Sequence, residues 1–347
     1  MQMKMGNNGL SMTKIRTAET AGPPVRFSVI IINYGTAELA AQAADSVLEQ
    51  VSSDQGVEIH LVDNASPGTD QNYLCGRKAD WPDSVILRLE PRNHGFGDGV
   101  NQVLQDLARR SSPPEFVFLL NPDAQLENDV LGVLSDFMDR HPKVAFAGAG
   151  ITKPGHGPVT AAFRFPSIVG DFSAALNFGP VDTLLSRWLT RLPPDLERQK
   201  VGWVAGAAVM IRFSALQDIG FFDPAFFLYY EEVELMHRAA DAGWETWYVP
   251  EARAVHLEGA ATGVNSGGSA RKRKPSYWYA SWHHYFVKTL GRFGAICAAI
   301  AVMTGTVLNM ILSRLRGREP GAPLNFFPDF YAMAVRPLIG LKARPYD

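Results

Sequence analysis

Phe27-Ser28-Val29-Ile30-Ile31-Ile32-Asn33-Tyr34 is the stretch on which the fold turns. A continuous apolar run ends at once in two polar residues, which suits a strand buried on both faces. Similar runs recur at residues 59–62, 85–89, 116–120, 144–147 and 207–211. Helical patterns lie between several of them, at residues 37–50, 100–110 and 130–140. This alternation predicts βαβ units and an α/β fold with a mostly parallel central sheet. In open α/β sheets, ligands bind outside the carboxyl ends of the strands. Those ends carry Asn33 and Tyr34, Asp63 and Asn64, Arg92-Asn93-His94, and Asn121-Pro122-Asp123. Polar groups from four strands therefore converge on one edge.

The bulk properties narrow the class. The 347 residues, 46% of them hydrophobic, suffice for one large α/β domain and an extension. A net charge of −2 gives no reason to expect nucleic acid as a partner. The two cysteines, Cys75 and Cys297, exclude a disulfide scaffold or a four-cysteine zinc site and fit a reducing compartment. Residues 1–24 are polar, with no apolar stretch of signal-peptide length. Residues 154–200 are less regular and rich in proline and aromatic side chains, as in a substrate-facing insertion.

Several residues stand where chemistry needs them. Asp123 follows a buried strand directly, where a carboxylate can hold a hard divalent cation that grips a diphosphate. Asn-Pro-Asp is also a good turn sequence, so a structural role is the alternative. His256 ends a strand-like segment and needs a partner to bind metal; Asp123 is the natural one. Glu231 and Glu232 open a helix whose apolar stripe is Tyr229, Val233, Met236 and Ala240. The aromatic run Phe221-Phe222-Asp223-Pro224-Ala225-Phe226-Phe227-Leu228-Tyr229-Tyr230 leads into that pair. Such a wall can exclude water and hold a sugar ring, with a base beside it to deprotonate a hydroxyl. The helix start is expected to keep the pair ionised. Gly95, Gly97 and Gly99 are not the spaced fingerprint of a dinucleotide-binding first strand, which disfavours an oxidoreductase. Asp98 and Asp129 read as solvated helix starts.

In order along the chain, these pieces resemble family 2 glycosyltransferases of the Rossmann-like GT-A fold, especially the bacterial rhamnosyltransferase-like branch. The carriers are residues 28–34, 62–66, 93–96, 120–123, 206–208, 220–223, 227–238 and 242–256. The resemblance implies donor-binding roles for Asn33, Tyr34, Asp63, Asn64, Asn93, Gly95, Asn121 and Asp123. It implies acceptor contacts from Trp203, Gly206, Phe227, Tyr229 and Tyr230. Asp123 stands for the second acid of the family's D-x-D motif, with Asn121 in place of the first. Asp123 and His256 would share Mg2+ or Mn2+. The family's base is the second acid of a Glu-Asp pair, which points here to Glu232, with Glu231 left open. The implied reaction is an inverting transfer from a nucleotide-diphosphate sugar, first guess dTDP-rhamnose. The acceptor is a hydroxyl of a glycan or lipid-linked molecule in bacterial envelope polysaccharide synthesis. A catalytically inactive nucleotide-sugar-binding module is the alternative, but it would not need Glu231, Glu232 or His256. A processive synthase is disfavoured because Arg187-Trp188 lacks a glutamine three residues before the arginine.

The expected division is a disordered lead-in at 1–25, a GT-A domain at 26–262, a flexible basic loop at 263–274 and a C-terminal helical, membrane-associating region at 275–347. Residues 293–312 carry no charge and are long enough to span a bilayer core. Arg271, Lys272, Arg273 and Lys274 precede a Trp/Tyr-rich stretch, as in a basic patch beside an interfacial belt attracted to anionic lipid. Three arrangements stay open: an interfacial helix, a single span, or a buried hairpin in a homo-oligomer. The first two place the chain at the cytoplasmic face of the plasma membrane.

Overall fold

A computed structural model describes residues 25–51, 55–257 and 271–346. The expected lead-in and most of the expected flexible loop lie outside these residues. The first half is built of β1 (Phe27–Asn33), α1 (Ala37–Gln50), β2 (Val57–Asp63), α2 (Asp70–Lys78), β3 (Val85–Leu89), α3 (Phe96–Ala108), β4 (Phe116–Leu120), β5 (Ala124–Leu126), α4 (Val130–Arg140) and β6 (Val144–Lys153). The insertion follows with β7 (Gly157–Val159), β8 (Ala162–Phe163), α5 (Ile168–Leu176), α6 (Gly179–Leu184) and β9 (Gln199–Val201). Next come β10 (Trp203–Val204), β11 (Ala208–Arg212), α7 (Phe213–Ile219), α8 (Glu231–Asp241) and β12 (Glu245–His256). The C-terminal region holds α9 (Ser276–Leu315), α10 (Phe326–Phe330), a π-turn at Tyr331–Val335 and α11 (Arg336–Leu338).

Every residue of β1 is buried, as its unbroken apolar run requires. The main sheet runs β3-β2-β1-β4-β11-β6-β12-β5. Strands β3, β2, β1 and β4 are mutually parallel, as are β6 and β12. Strand β11 lies antiparallel between β4 and β6 and joins the two parallel blocks. Two registers decide the site. Asn33 pairs with Asp63 at the carboxyl ends of β1 and β2. The end of β12 runs antiparallel to β5, with His256 opposite Ala124. A residue distant in sequence thereby becomes the neighbour of Asp123.

The insertion is more ordered than its composition suggests. Helix α5 is capped by Ser167, whose hydroxyl accepts the Gly170 N–H. It packs along α9, where Gly305 approaches the Phe172 carbonyl. Helix α9 is kinked at Gly291, whose φ of +68° is not helical. It is the one helix among the described residues long and apolar enough to cross a membrane. Before the kink its buried face is aromatic, with Tyr279, Trp282, Tyr285 and Phe286; after it the buried residues are mostly small or polar, with Ala295, Ala298, Ala299, Gly305, Thr306 and Asn309 beside Val302. Asn309 donates to the Leu176 carbonyl and accepts from the Gly321 N–H. The outer face is apolar, with Phe293 80%, Ile300 60% and Leu315 79% exposed.

Two expectations change. The basic run is partly tied into the protein, because Arg273 makes a two-point ion pair with Asp329 and Arg271 donates to the Ala322 and Pro323 carbonyls. On α8 the apolar stripe drifts: Val233, Leu235, Met236 and Ala239 are buried, while Ala240 is exposed.

Candidate active site

Two clefts open beside the aromatic loop that precedes α8. The first, about 420 Å³, lies at the carboxyl ends of the strands. Tyr34, Asn64, Asn93, Gly95, Asn121, Asp123 and His256 all line it, together with Phe227 and Tyr277. His256 Nε2 lies 2.9 Å from Asp123 Oδ1 and 3.4 Å from Asn121 Nδ2. Asn64 organises the opposite wall. Its amide donates to the Asn93 side chain and the Gly95 carbonyl, and it accepts the His94 N–H.

Gly95 lines the first cleft and also serves a second contact. Its φ is +79°, and a Cβ there would sit 2.1 Å from the Phe227 carbonyl oxygen. Phe96 N–H donates to that same oxygen. The missing side chain lets the loop after β3 bond to the loop before α8. Asn33 and Asp63 do not line the cleft. Both are fully buried, and the Asn33 amide donates to Asp63 at 2.9 Å. Asp63 also accepts from the Ser66 backbone and from Gln71, so its oxygens are engaged within the protein.

The second cleft, about 810 Å³, is walled by the insertion, the aromatic loop and the start of α9. Trp203, Tyr229, Tyr230 and Glu232 line it, as does Trp278. Trp203 stacks on Phe163 at 4.0 Å and 11°, across the β8–β10 pairing. Its indole N–H is fixed by the Arg164 carbonyl. Tyr229 and Tyr230 both have φ of +68°, a left-handed conformation costly for tyrosine. That double turn separates Phe227, which faces the first cleft, from Tyr230 and Glu232, which face the second. Phe227 was expected among the acceptor contacts, and the turn sends it to the other side. Gly206 lies behind Glu232: a Cβ there would be 2.7 Å from Glu232 Oε1.

The glutamate pair is split by burial. Glu231 is 2% exposed, and its Oε2 has no hydrogen-bond partner. Burial, and then the charge of Glu232, push its carboxyl well above the usual range. Burial raises Glu232 as well, although its own backbone amide and that of Gly206 hold it down in part. The helix start was expected to keep both ionised; here desolvation outweighs the macrodipole. Helix α8 is anchored from the outside by Lys288 of α9, 2.6 Å from Asp223 and 2.9 Å from Glu234.

The profile of the family described as "Glycosyl transferase family 2" matches residues 28–220, more than half of the chain. The chain belongs to this family. The matched span takes in the strands whose ends form the first cleft and stops after α7, just before the aromatic loop. The chain is 29% identical over 245 residues to the N-acetylglucosaminyl-diphospho-decaprenol L-rhamnosyltransferase of Mycobacterium tuberculosis, an alignment covering 67% of this chain and 78% of that one. It is 24% identical to the rhamnosyltransferase WbbL of Escherichia coli, over 47% of this chain and 61% of that one. In fold it is similar to the mannosyltransferase PcManGT of Pyrobaculum calidifontis, solved with GDP-Man and Mn2+, at a TM-score of 0.52, with 15% identity over 86% and 79% of the two chains. Like that structure, this family 2 glycosyltransferase has an α/β GT-A core.

Sequence reasoning missed four residues of this glycosyltransferase's clefts. Tyr277 and Trp278 read as part of a membrane belt, yet the first turn of α9 walls both clefts. Phe163 and Asp171 sit in the insertion, where only a general signal of substrate contact was legible.

Proposed function

We propose that this glycosyltransferase inverts configuration, uses a divalent cation, binds a nucleotide-diphosphate sugar in the first cleft and seats a lipid-linked acceptor in the second. The juxtaposition of Asp123 with His256, next to a separate cleft containing Glu232, carries this reading. A carboxylate and an imidazole 2.9 Å apart are a fitting pair of donors for Mg2+ or Mn2+. Among the described residues no third acid, histidine or cysteine joins them. The remaining positions are then open to diphosphate oxygens. When bound, the cation offsets charge on the leaving diphosphate.

The protein's own residues supply the rest. Glu232 lines the acceptor cleft and takes the proton from the acceptor hydroxyl, whereas Glu231 is buried, does not line that cleft, and is held well above the usual carboxylate range. The acceptor oxygen bonds to the anomeric carbon as the bond from that carbon to the diphosphate oxygen breaks. Attack from the face opposite the nucleotide inverts the centre. Burial makes Glu232 a stronger base than an exposed glutamate. Asn64 and Asn93 hold the loop that closes over the donor.

Arg191 lines the second cleft and has no ion-pair partner among the described residues. It suits the phosphate of a diphosphate-lipid acceptor, the type that the mycobacterial relative's name states. The outward apolar face of α9, flanked by Arg314, Arg316 and Arg318, suits the surface of an anionic bilayer. A cytoplasmic supply of nucleotide sugar would favour the cytoplasmic face. The decisive assay is a panel of nucleotide sugars, dTDP-rhamnose first, with a short-chain N-acetylglucosaminyl-diphospho-prenol acceptor, with and without EDTA. The expected result is metal-dependent transfer with an inverted anomeric centre. Transfer that survives EDTA, or retains configuration, sinks the reading.

A further inference from the structure

Asp171 is the group in the second cleft that the transfer step leaves unused. It stands in the first turn of α5 and lines the same cleft as Glu232 and Trp203. Its Oδ2 accepts the Trp282 indole N–H at 2.9 Å. Its second oxygen has no hydrogen bond among the described residues. Asp171 is half-buried, and this oxygen is not sealed off inside the protein, so it is free to accept from a ligand in the cleft. Next to it, Trp203 and Phe163 form a flat aromatic platform whose orientation is fixed by the Arg164 carbonyl. A pyranose ring presents C–H groups on one face and hydroxyls around its edge. A rigid ring face beside a carboxylate oxygen matches both at once.

We infer that Asp171 is an acceptor-binding carboxylate that accepts a hydrogen bond from one hydroxyl of the acceptor sugar and so selects which neighbouring hydroxyl is presented to Glu232. This rests on the assignment of the second cleft to the acceptor. The contact has two consequences. Removing it raises the acceptor KM and leaves the donor site alone. It also ties acceptor binding to ionisation of Asp171, which burial pushes up to about 6 against the lowering effect of Trp282. The other charged or titratable groups facing it are Glu232, Asp182 and Arg191 in the cleft, with the Tyr230 and Tyr285 phenols behind.

Asp171→Asn keeps an oxygen for Trp282 and turns an N–H donor to the cleft. With the short-chain N-acetylglucosaminyl-diphospho-prenol as acceptor, the expected rise in acceptor KM is about tenfold or more. Donor KM, donor hydrolysis and melting temperature stay at the native values. In the native enzyme, acceptor KM rises as pH falls through about 6; in the variant that dependence is flat. Trp282→Phe removes the indole donor and moves the same dependence to higher pH, with native acceptor KM at alkaline pH. An unchanged acceptor KM in Asp171→Asn overturns the inference while leaving the cleft assignment standing. A KM rise that comes with a lower melting temperature and weaker donor binding, or that Trp282→Phe reproduces at alkaline pH, shows a purely structural role and also overturns it. A native enzyme that transfers no sugar to the acceptor removes the cleft assignment itself.

Discussion

The two clefts share a wall but are made differently. The first is a product of strand ends: Asn64 and Asn121 follow parallel strands that stop side by side, and the antiparallel pairing of β12 with β5 brings His256 to Asp123. Its polar groups are amides, an imidazole and a carboxylate at a crowded edge, a surface for a charged ligand and its counterion. The second is a product of packing. Its walls come from the insertion, the left-handed tyrosines and the first turns of α9, and its acids are pushed upward by burial. It suits a ligand of ring faces and hydroxyls. One sheet edge therefore makes the first cleft, and irregular segments make the second.

The comparison breaks most sharply at Glu232. Glu232→Gln is expected to lower kcat by ~10²–10⁴-fold, with donor affinity by calorimetry within about twofold of native. Loss of donor binding in that variant would merge the two clefts into one site. Asp123→Ala addresses the other side. It is expected to weaken metal-dependent donor binding ~10–100-fold, while acceptor KM at saturating donor stays the same.

Gly95→Ala tests the shared wall. A Cβ 2.1 Å from the Phe227 oxygen on a backbone at φ +79° is expected to cost about 1–3 kcal/mol in stability. A thermal scan would show a melting temperature several degrees lower. An unchanged melting temperature would mean that the two loops are not held together as described.

The smallest effect belongs to Glu231→Gln, which is expected to leave kcat within a few-fold. Its signature is in stability against pH. The folded-state pKa of Glu231 is raised, so the native state holds a proton that the unfolded chain releases. Native stability is full below the ordinary glutamate pKa and is lost as pH rises through the raised value. The glutamine variant should escape that loss and melt higher than the native protein at alkaline pH. A variant with no such advantage, or one without activity, would identify Glu231 as the ionised base.

Legibility in the sequence follows the same division. The runs at β1 and β4 announce themselves because burial on both faces demands unbroken apolar residues. The polar residues after them were then placed by topology alone. Asp123 and His256 were found together because each ends a strand. The inward turn of Asn33 and Asp63 was not legible: position at a strand end does not say whether a side chain turns outward or inward to a neighbour. The placing of Phe227 in the first cleft was not legible either, because two consecutive tyrosines with positive φ cannot be foreseen from propensity, which disfavours them. Asp171 left no signal, since an acid in a first helical turn is ordinary. The upward shift of the glutamate pair was missed for a quantitative reason: a helix terminus contributes about 0.3–1 kcal/mol, less than full desolvation of a carboxylate costs.

Helix α5 has one side in the acceptor cleft, through Asp171, Ser173 and Ala174, and the other against α9. The pair forms a slab two helices thick, with Asn309 bonded across it to Leu176. If the outward face of α9 rests on a bilayer, that slab fixes a standoff of ~20 Å between lipid and the reacting hydroxyl, from a helix diameter of ~10 Å. Together with the proposed seating of a lipid-linked acceptor in the second cleft, that standoff would make the slab a ruler, one that reaches sugars next to the lipid anchor and is blind to the growing end of a long chain.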